Sequence, residues 1–544
     1  MRVRYQRGPS VSGREPGDSY DGATWGGAGS YEFTAATWYG SEFPLAGHTS
    51  PAPGVGGRYV SDAAVVVAAG VVAATIVAVE RWGVVPAVPL LVASVLGVGG
   101  VLGRRVRPDR PRPRASIGRA GLLVVLLVVL VVVAGWRCDV AWQQLQPDVV
   151  GPYTGWVRVV DDPQPYASAT RIVVEVDGER FEIWSRGRAQ QRRVRTWRAG
   201  QWVMAAGERA EIEPDRVGRV AWQHVVGSFT LDWAADVDPG GPMARASNRV
   251  RQAVERAADV LPADDGALFR GLVVGDDRDQ PPEMLERFRA SGLSHLTAVS
   301  GQNVAFVLAA AGPLLRRVRR WPRLVVSIAL IGWFVVLTRV EPSILRAGTM
   351  AILSAVGYAT GRERTPLRLL ALALTALLLV DPLLAWSIGF WLSVGATAGV
   401  TTVGPAIARR CARLGPVAVP LGVTLGAQIG VAAPSVLVFG RLPLVSVVAN
   451  LLAVPVAGAV MLYGLPAGLV AGWSPSTAGV LMFPARLGTR WVDTVAALGA
   501  RLEPPAPWPW VGWSAMAAIS LVGVGVSVRR GKNRDLHGHA SPHR

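Results

Sequence analysis

Long apolar runs alternate with short arginine-rich loops over most of this chain. Runs at about 60–79, 83–103 and 119–136 each approach the ~20 residues that a helix needs to cross a bilayer. Further apolar runs follow from Leu293 to Val528. The pattern predicts a polytopic α-helical membrane protein with about eleven or twelve transmembrane helices, a count that assumes a hairpin of two passes over 442–472.

Residues 148–236 show a different pattern. Polar residues alternate with β-branched and aromatic residues over Thr170–Val176, Glu179–Trp184 and Gln201–Met204, and Gly/Asp turns separate these runs. Such alternation predicts a small antiparallel β domain between the third and fourth spans. Residues 247–292 then read as amphipathic helices, one of them opening at Pro281-Pro282.

These changes of pattern predict six regions. They are a disordered extension (1–58), a three-span membrane region (59–137), the β domain (148–236), an amphipathic connector (247–292), a transmembrane core (293–528) and a disordered basic tail (529–544).

The composition agrees with a membrane protein. Charged residues make up only 17% of the chain, against about 25% in typical soluble domains, and the mean hydropathy is +0.33. The two cysteines, Cys138 and Cys411, are far apart. A water-soluble enzyme, a disulfide scaffold and a zinc ribbon are therefore excluded.

The formal net charge is +18, and every basic residue except Lys532 is arginine. Seven arginines lie between Arg104 and Arg119, and the positive-inside rule places this loop in the cytoplasm. The β domain then lies outside the cell and the C-terminus in the cytoplasm. Most of the positive charge is therefore explained by arginine-rich loops that orient the spans.

One arginine run of the predicted β domain contains no acid and lies beside two tryptophans. Basic grooves with aromatic side chains hold single-stranded nucleic acid, but a basic loop that contacts lipid headgroups has the same composition, and both interpretations stay open. The candidates are Arg186, Arg188, Arg192, Arg193, Arg195, Arg198, Trp184 and Trp197.

A polar segment opens the first apolar run after the connector. Its candidate residues are His295, Thr297, Ser300, Gln302 and Asn303. On a helix these side chains point around the whole circumference, so the segment must be surrounded by protein or line a wet cavity, with a break expected at Gly301. An interhelical hydrogen-bond cluster is the structural alternative. His295 and Ser300 would lie about 140° apart, which is unsuitable for an activated serine nucleophile.

Three further polar residues are embedded in apolar sequence. Arg346 and Asp381 are candidates for a channel lining because charges inside membrane segments usually face a bundle interior. Alternatively, Arg346 extends to the membrane surface and Asp381 ends a helix before Pro382. Asn450 begins a stretch rich in proline and glycine, which is typical of interrupted helices around a transport site.

No metal site or cofactor is predicted. Gly275–Asp279 resembles the start of a calcium loop but lacks its later glycine and glutamate, so a turn and helix cap is expected. The histidines at 537–543 form no recognisable ligand set.

Several sequence blocks, in this order, resemble the ComEC family of bacterial competence proteins. The matching blocks are Gly271–Asp276, Arg287–Gly301 with its His-Leu-Thr-Ala-Val-Ser-Gly segment, Pro342–Gly348, Asp381-Pro382 with Phe390–Ser393, and Asn450–Pro455. The resemblance covers about 265–465 at its core. It implies a channel that passes single-stranded DNA across the bacterial plasma membrane, and the β domain looks like the family's external OB-like domain.

The sequence departs from the family pattern in one respect. Many members continue into a metallo-β-lactamase-like domain with a His-x-His-x-Asp-His motif, which this sequence lacks. The expectation is therefore a non-enzymatic chain that contacts lipid and single-stranded DNA and depends on a separate nuclease, an external DNA receptor and a cytoplasmic motor. A small-molecule or peptide transporter and a non-transporting assembly factor stay open as alternatives.

Overall fold

The computed structural model describes residues 61–83, 89, 92, 114–166, 168–297, 301–362, 364–505, 507–509 and 511–514. All of them belong to one compact unit. The predicted N-terminal extension, nearly all of the second predicted span and the basic tail lie outside the described residues.

Apolar helices dominate this part of the chain. They are α1 (Asp62–Trp82), α2 (Arg114–Gln143), α3 (Arg188–Val194), α4 (Pro214–Val220), α5 (Pro242–Ala258), α6 (Ala263–Val274), α7 (Pro282–Ala290), α8 (Ser294–Thr297), α9 (Gly301–Leu315), α10 (Arg320–Leu337), α11 (Pro342–Ala359), α12 (Pro366–Val380), α13 (Ile388–Thr402), α14 (Gly404–Arg410), α15 (Ala418–Phe439), α16 (Ser446–Trp473) and α17 (Pro475–Leu502).

The chain is an integral membrane protein. Among the described residues, six helical stretches are long and apolar enough to cross a membrane, and α9 and α12 are shorter apolar helices. The six stretches are Asp62–Trp82, Gly121–Gln143, Arg320–Leu337, Ile388–Arg410, Ala412–Phe439 and Ser446–Trp473. The prediction of a polytopic helical protein with an inserted β domain is thus confirmed.

The hairpin expected over 442–472 is wrong. Residues Ser446–Trp473 form one continuous helix, α16, although it contains Pro455 and Pro466. Each proline removes only one backbone hydrogen bond, and packing against neighbouring helices compensates. Phe269 of α6, for example, lies against Gly464 and Gly468. The stretch after Asn450 is therefore a packed helix, and the span count based on a hairpin falls by one.

Between α2 and α5 lies a sheet of six strands. The strands are β1 (Gly151–Val159), β2 (Gln164–Pro165), β3 (Ala169–Val176), β4 (Glu179–Arg186), β5 (Trp202–Glu211) and β6 (Val225–Asp238). The runs that alternate in sequence fall on β3, β4 and β5, as period-two alternation predicts for strands. Phe181, Trp197 and Phe229 fill that core.

The sheet is mixed, which corrects the expected antiparallel arrangement. Strand β1 pairs with β3 and with β5, β5 pairs with β6, β6 pairs with β4, and β4 pairs with β3, so five strands close into a ring. The β4–β6 pair is parallel. Parallel neighbours need a long crossover, and residues 187–224, which include α3, β5 and α4, provide it.

The helices form contiguous clusters around the sheet. Helices α1, α2 and α12 share an apolar core that includes Ile76 and Leu378. The connector helices α5, α6 and α7 share a second core with α16 and α17. Helix α7 begins at Pro282, where the proline pair indicated a start. Helices α9, α10 and α11 form a third core.

Helices α13 and α15 approach each other more closely than side chains would allow. A Cβ atom on Gly399 would collide with the carbonyl oxygen of Gly426, and one on Gly395 would collide with that of Gly430. Small residues permit such backbone contact between membrane helices, where dispersion rather than the hydrophobic effect drives association.

Candidate functional site

The predicted polar segment lies at a junction of two helices. Helix α8 ends at Thr297 and α9 begins at Gly301, while Ser300 lies outside the described residues. His295 is exposed, Gln302 is half-buried, and Thr297 is buried. The Thr297 hydroxyl donates to the Ser294 carbonyl at 2.8 Å, which satisfies it within its own turn.

Arg346 of α11 lies beside this junction. Its side chain is buried, with 6% exposed. Its Nε donates to Ser393 Oγ at 2.8 Å and its Nη1 contacts Met350 Sδ at 3.1 Å. A Cβ atom on Gly301 would come within 2.5 Å of Arg346 Nη2. The glycine therefore makes room for the guanidinium, and three of the sequence blocks meet at one point.

Asn303 connects α9 to the connector. Its side-chain amide donates to the Leu272 carbonyl of α6 at 3.4 Å, and Asn303 is buried. Close by, a Cβ atom on Gly271 would meet the amide of Gln280 and the carbonyl of Thr297. Gln280 is only 6% exposed, and neither of its amide atoms has a hydrogen-bond partner in the part of the chain that the structure describes.

Asn450 and Asp381 have different surroundings. The Asn450 amide donates to the Ser446 carbonyl of its own helix at 2.7 Å, and Ser446 packs against Gly292, just before α8. Asp381 instead lies at the β domain, where its Oδ2 is 3.0 Å from His224 Nε2 and its Oδ1 accepts from the Leu383 amide at 3.1 Å. Asp381 thus sits away from the Arg346 group.

The arginine run of the β domain follows the end of β4 and helix α3. Arg186, Arg188, Arg192, Arg193 and Arg195 are exposed. Arg193 also donates to the Ala234 carbonyl at 2.8 Å. Arg198 forms a bidentate pair with Glu255 at 2.7 and 2.6 Å. Trp197, at 1% exposed, has no face available for a base.

A polar cavity of about 840 Å³ lies between the β domain and the loops that precede α7 and α11. Of the predicted residues, only Trp184 and Arg186 line it. The sequence patterns did not indicate its other prominent side chains, which are Tyr166, Arg171, Arg216, Arg219, Trp222, Asp161, Asp277 and Glu341. One stretch of the lining was singled out in the sequence: Gly275–Asp279, predicted to be a turn and helix cap, does form a turn after α6.

A buried ion-pair network forms the floor of this cavity. Asp162 accepts two hydrogen bonds from Arg339, both at 3.0 Å, and pairs with Arg251 at 3.1 Å. Asp276 pairs bidentately with Arg278 at 2.6 Å, and Arg278 also reaches Glu255 at 3.0 Å. Because Asp162 belongs to the β domain and the arginines to the helical part, the network joins the two.

The pKa of Asp162 in the network is lowered, whereas the pKa values of three carboxyl groups on the cavity wall are raised. Although burial alone would raise the pKa of Asp162, Arg251 and Arg339 hold that pKa below its ordinary value. On the wall, burial together with the carboxylate of Asp162 raises the pKa of Asp161 to about 6. Burial and the neighbouring Asp161 and Asp277 raise the pKa of Glu341 to about 7. The pKa of Asp277 is raised by burial and by Asp276.

No metal centre is visible in this arrangement. Within the described ranges, no group of three or more His, Cys, Asp or Glu side chains is placed to hold a metal ion. What the geometry provides is a buried arginine beside a helix junction, and a basic, aromatic and acidic cavity next to it.

Comparison with known proteins identifies the class. Residues 272–530, just under half of the chain, match the family described as "Competence protein". This stretch contains Gly301, Arg346, Ser393 and Asn450. The matched region is therefore the core of a competence-family protein, which confirms the resemblance seen in the sequence blocks.

Two curated relatives are similar over shorter stretches. The chain is 29% identical over 210 residues to "Uncharacterized protein YcaI" of Escherichia coli (strain K12), which covers 35% of this chain and 27% of the relative. It is 26% identical over 213 residues to "ComE operon protein 3" of Bacillus subtilis (strain 168), which covers 39% and 27%. The matches thus span about a quarter of each relative's length. No solved structure matches the chain.

Proposed function

We propose that this chain passes single-stranded DNA across the bacterial plasma membrane, the competence region forming the path and the β domain receiving the strand outside. The observation that carries the proposal is Arg346. Its guanidinium is buried in the matched region, its polar contacts there are Ser393 and Met350, and it forms none of the ion pairs among the described residues. An uncompensated buried cation is costly unless an anion visits it.

The β domain supports the receiving role. Its closed ring of five strands has one parallel pair, with α3 between β4 and β5. This pairing agrees with an OB-like domain, a common platform for single strands. Helix α3 presents exposed arginines on that domain.

The remaining parts of the proposal concern topology and partners. The cytoplasmic arginine clusters orient the β domain outward and the C-terminus inward. A separate DNA receptor delivers the strand, a separate nuclease removes its complement, and a cytoplasmic motor draws it in. Lipid surrounds the helices, and the chain itself performs no catalysis in this scheme.

A clean deletion tests the role. Cells without this chain should bind duplex DNA outside and fail to internalise it. Undiminished transformation in the deletion strain would contradict the proposal. Reconstituted protein that accumulates a small solute or peptide, with no competition from DNA, would instead favour the transporter alternative.

Complementation of that deletion tests Arg346. Arg346→Gln should reduce transformation by about tenfold or more, the factor that corresponds to losing one charged hydrogen bond of about 1.5–3 kcal/mol. Arg441→Gln is the matched control, because Arg441 is 71% exposed and makes one surface ion pair at 3.4 Å. Equal transformation by the two variants at equal membrane abundance would remove Arg346 from the path.

A further inference from the structure

We propose that the cavity between the β domain and the helical core is a binding site for one or a few nucleotides of a single strand. Bases would stack on Tyr166 and Trp184, and phosphates would lie against Arg186 and Arg219. This inference rests on the proposed function and deepens it, because it assigns the point at which the strand leaves the β domain for the core.

The aromatic wall suits a base. The rings of Tyr166 and Trp184 have centroids 5.1 Å apart and are tilted by 47°, and Tyr166 is 50% exposed. The Arg216 guanidinium lies 5.4 Å from the centre of the Trp184 ring. The Trp184 indole nitrogen is buried without a hydrogen-bond partner among the described residues. An exposed ring next to a cation offers stacking that accepts any base.

The basic wall has two free cations. Arg171 and Arg216 are both held by Glu182, so their charges are already partly neutralised. Arg186 and Arg219 are exposed and form no ion pair in the described part of the chain. A phosphate that reaches the cavity would therefore be drawn to these two side chains.

The cavity lining also contains acidic residues. Asp161, Asp277 and Glu341 are among them, and none of the three carboxylates forms an ion pair among the described residues. These carboxylates repel phosphates, so the backbone of a strand would lie against Arg186 and Arg219 and away from the acids. Repulsion also keeps binding weak, which a transit site needs so that the occupant can leave.

The size of the cavity agrees with this ligand. Its volume of about 840 Å³ falls within the ~300–1,000 Å³ of typical small-ligand sites. It lies directly over the Asp162 network, where the β domain meets α5 and the loop before α11. A strand inside it would touch both parts of the protein.

The test uses the full chain in detergent and a fluorescein-labelled oligo-dT. Fluorescence anisotropy gives the affinity, and 5-iodouracil in the same oligonucleotide allows photo-crosslinking of wild-type protein. We expect crosslinks at Tyr166 or Trp184 and about tenfold weaker binding by the double variant Tyr166→Ala, Arg219→Gln. Glu341→Gln should bind more tightly than wild type at pH 8 because one repelling charge is removed.

Matched controls are Trp233→Ala and Arg249→Gln, an exposed tryptophan on β6 and an exposed arginine on α5 that do not line the cavity. Both should bind as wild type does, and thermal unfolding should show equal stability. Crosslinks confined to α3, with wild-type affinity in the double variant, would overturn the cavity site and leave the proposed function intact.

Three other outcomes are also decisive. Full competition by inorganic phosphate would show a simple anion site and overturn the proposal. Failure of the wild-type chain to bind any oligonucleotide would overturn it as well. That failure combined with normal transformation of the deletion strain would overturn the proposed function too.

Discussion

At the scale of single residues, Gly301 and Arg346 form a close contact in the competence region. The guanidinium occupies the space that a Cβ on residue 301 would need, and its Nε is held by Ser393. The distances between helices α9, α11 and α13 therefore depend on the absence of a side chain at Gly301.

Gly301→Ala is expected to disturb this junction. The added Cβ would lie 2.5 Å from Arg346 Nη2 and 2.9 Å from the Ala347 Cβ, so helix α9 must shift, at a cost of about 1–3 kcal/mol for overpacking. Thermal unfolding and transformation measure the effect. Gly312→Ala lies on the same helix, where an added Cβ would meet no atom within 4 Å. This control should change neither measurement, and equal behaviour of the two variants would refute the steric account.

Glu341 provides a prediction about pH. Its folded-state pKa of about 7 lies above the ordinary value of 4.5, so the unfolded chain loses this proton at lower pH than the folded chain does. Stability is therefore lost as the pH rises from about 4.5 to about 7. Burial is the first cause of the raised pKa of Glu341, and the neighbouring carboxylates of Asp161 and Asp277 add to it.

Glu341→Gln should remove this loss. The variant is expected to melt about 1–3 °C higher than wild type at pH 8 and at the same temperature at pH 4.5, a modest shift because Glu341 remains accessible to water in the cavity. Glu211→Gln, an exposed acid on β5, is the control. A shift of equal size at both pH values would contradict the electrostatic explanation.

At the scale of elements, helix α3 is short and carries charge that the fold does not use. Arg188 and Arg192 are exposed on it, while Arg198, just beyond its end, is committed to Glu255. The binding role predicted for the whole run therefore concentrates on its first part.

Replacing Arg186, Arg188, Arg192 and Arg193 together with alanine should weaken single-strand binding by the full chain. The wild-type affinity should fall steeply with salt, and the variant should show a shallower slope by about 0.7 for each phosphate contact that is lost. Anisotropy at several salt concentrations measures this slope. An unchanged slope would remove α3 from the interface.

The sequence predicted the elements better than the site because periodicity is local. Alternation identified β3, β4 and β5, and Pro282 marked the start of α7. The parallel β4–β6 pair depends on a crossover of many residues, and α16 stays continuous because Phe269 packs against its glycines. Neither feature can be predicted from a short stretch of sequence. The cavity was missed for the same reason, since Asp161, Asp277 and Glu341 meet only in the folded chain.

At the scale of the whole molecule, Asp162 attaches the β domain to the helical part. It accepts hydrogen bonds from Arg339 and from the backbone amide of Ala199, and it forms an ion pair with Arg251. A second attachment pairs His224 with Asp381 and packs Ala221 against Leu383. Among the described residues, the β domain is thus held to the helical part by the Asp162 network with the nearby Arg198–Glu255 pair, and by the His224–Asp381 contact, in addition to its chain ends.

Asp162→Asn should loosen the first attachment. Removing this carboxylate leaves the buried Arg251 with only the contact to Asp276 at 3.9 Å and takes the ion-pair partner from the half-buried Arg339, which costs up to about 3–5 kcal/mol. Hydrogen exchange should rise in α5 and in the 338–341 loop. Asp232→Asn, an exposed acid on β6, should leave exchange in both segments unchanged, and wild-type protection in Asp162→Asn would show that the network is dispensable.

The two attachments also determine how the protein would respond to tension. Under the proposed function, a motor would draw a strand inward and the strand would pull on the residues that bind it, so a domain on a flexible tether would be dragged toward the membrane. Here the Asp162 network and the His224–Asp381 pair would share the load in parallel with the chain ends. The β domain would then act as a fixed guide, and the tension would move the strand past the domain instead of displacing the domain.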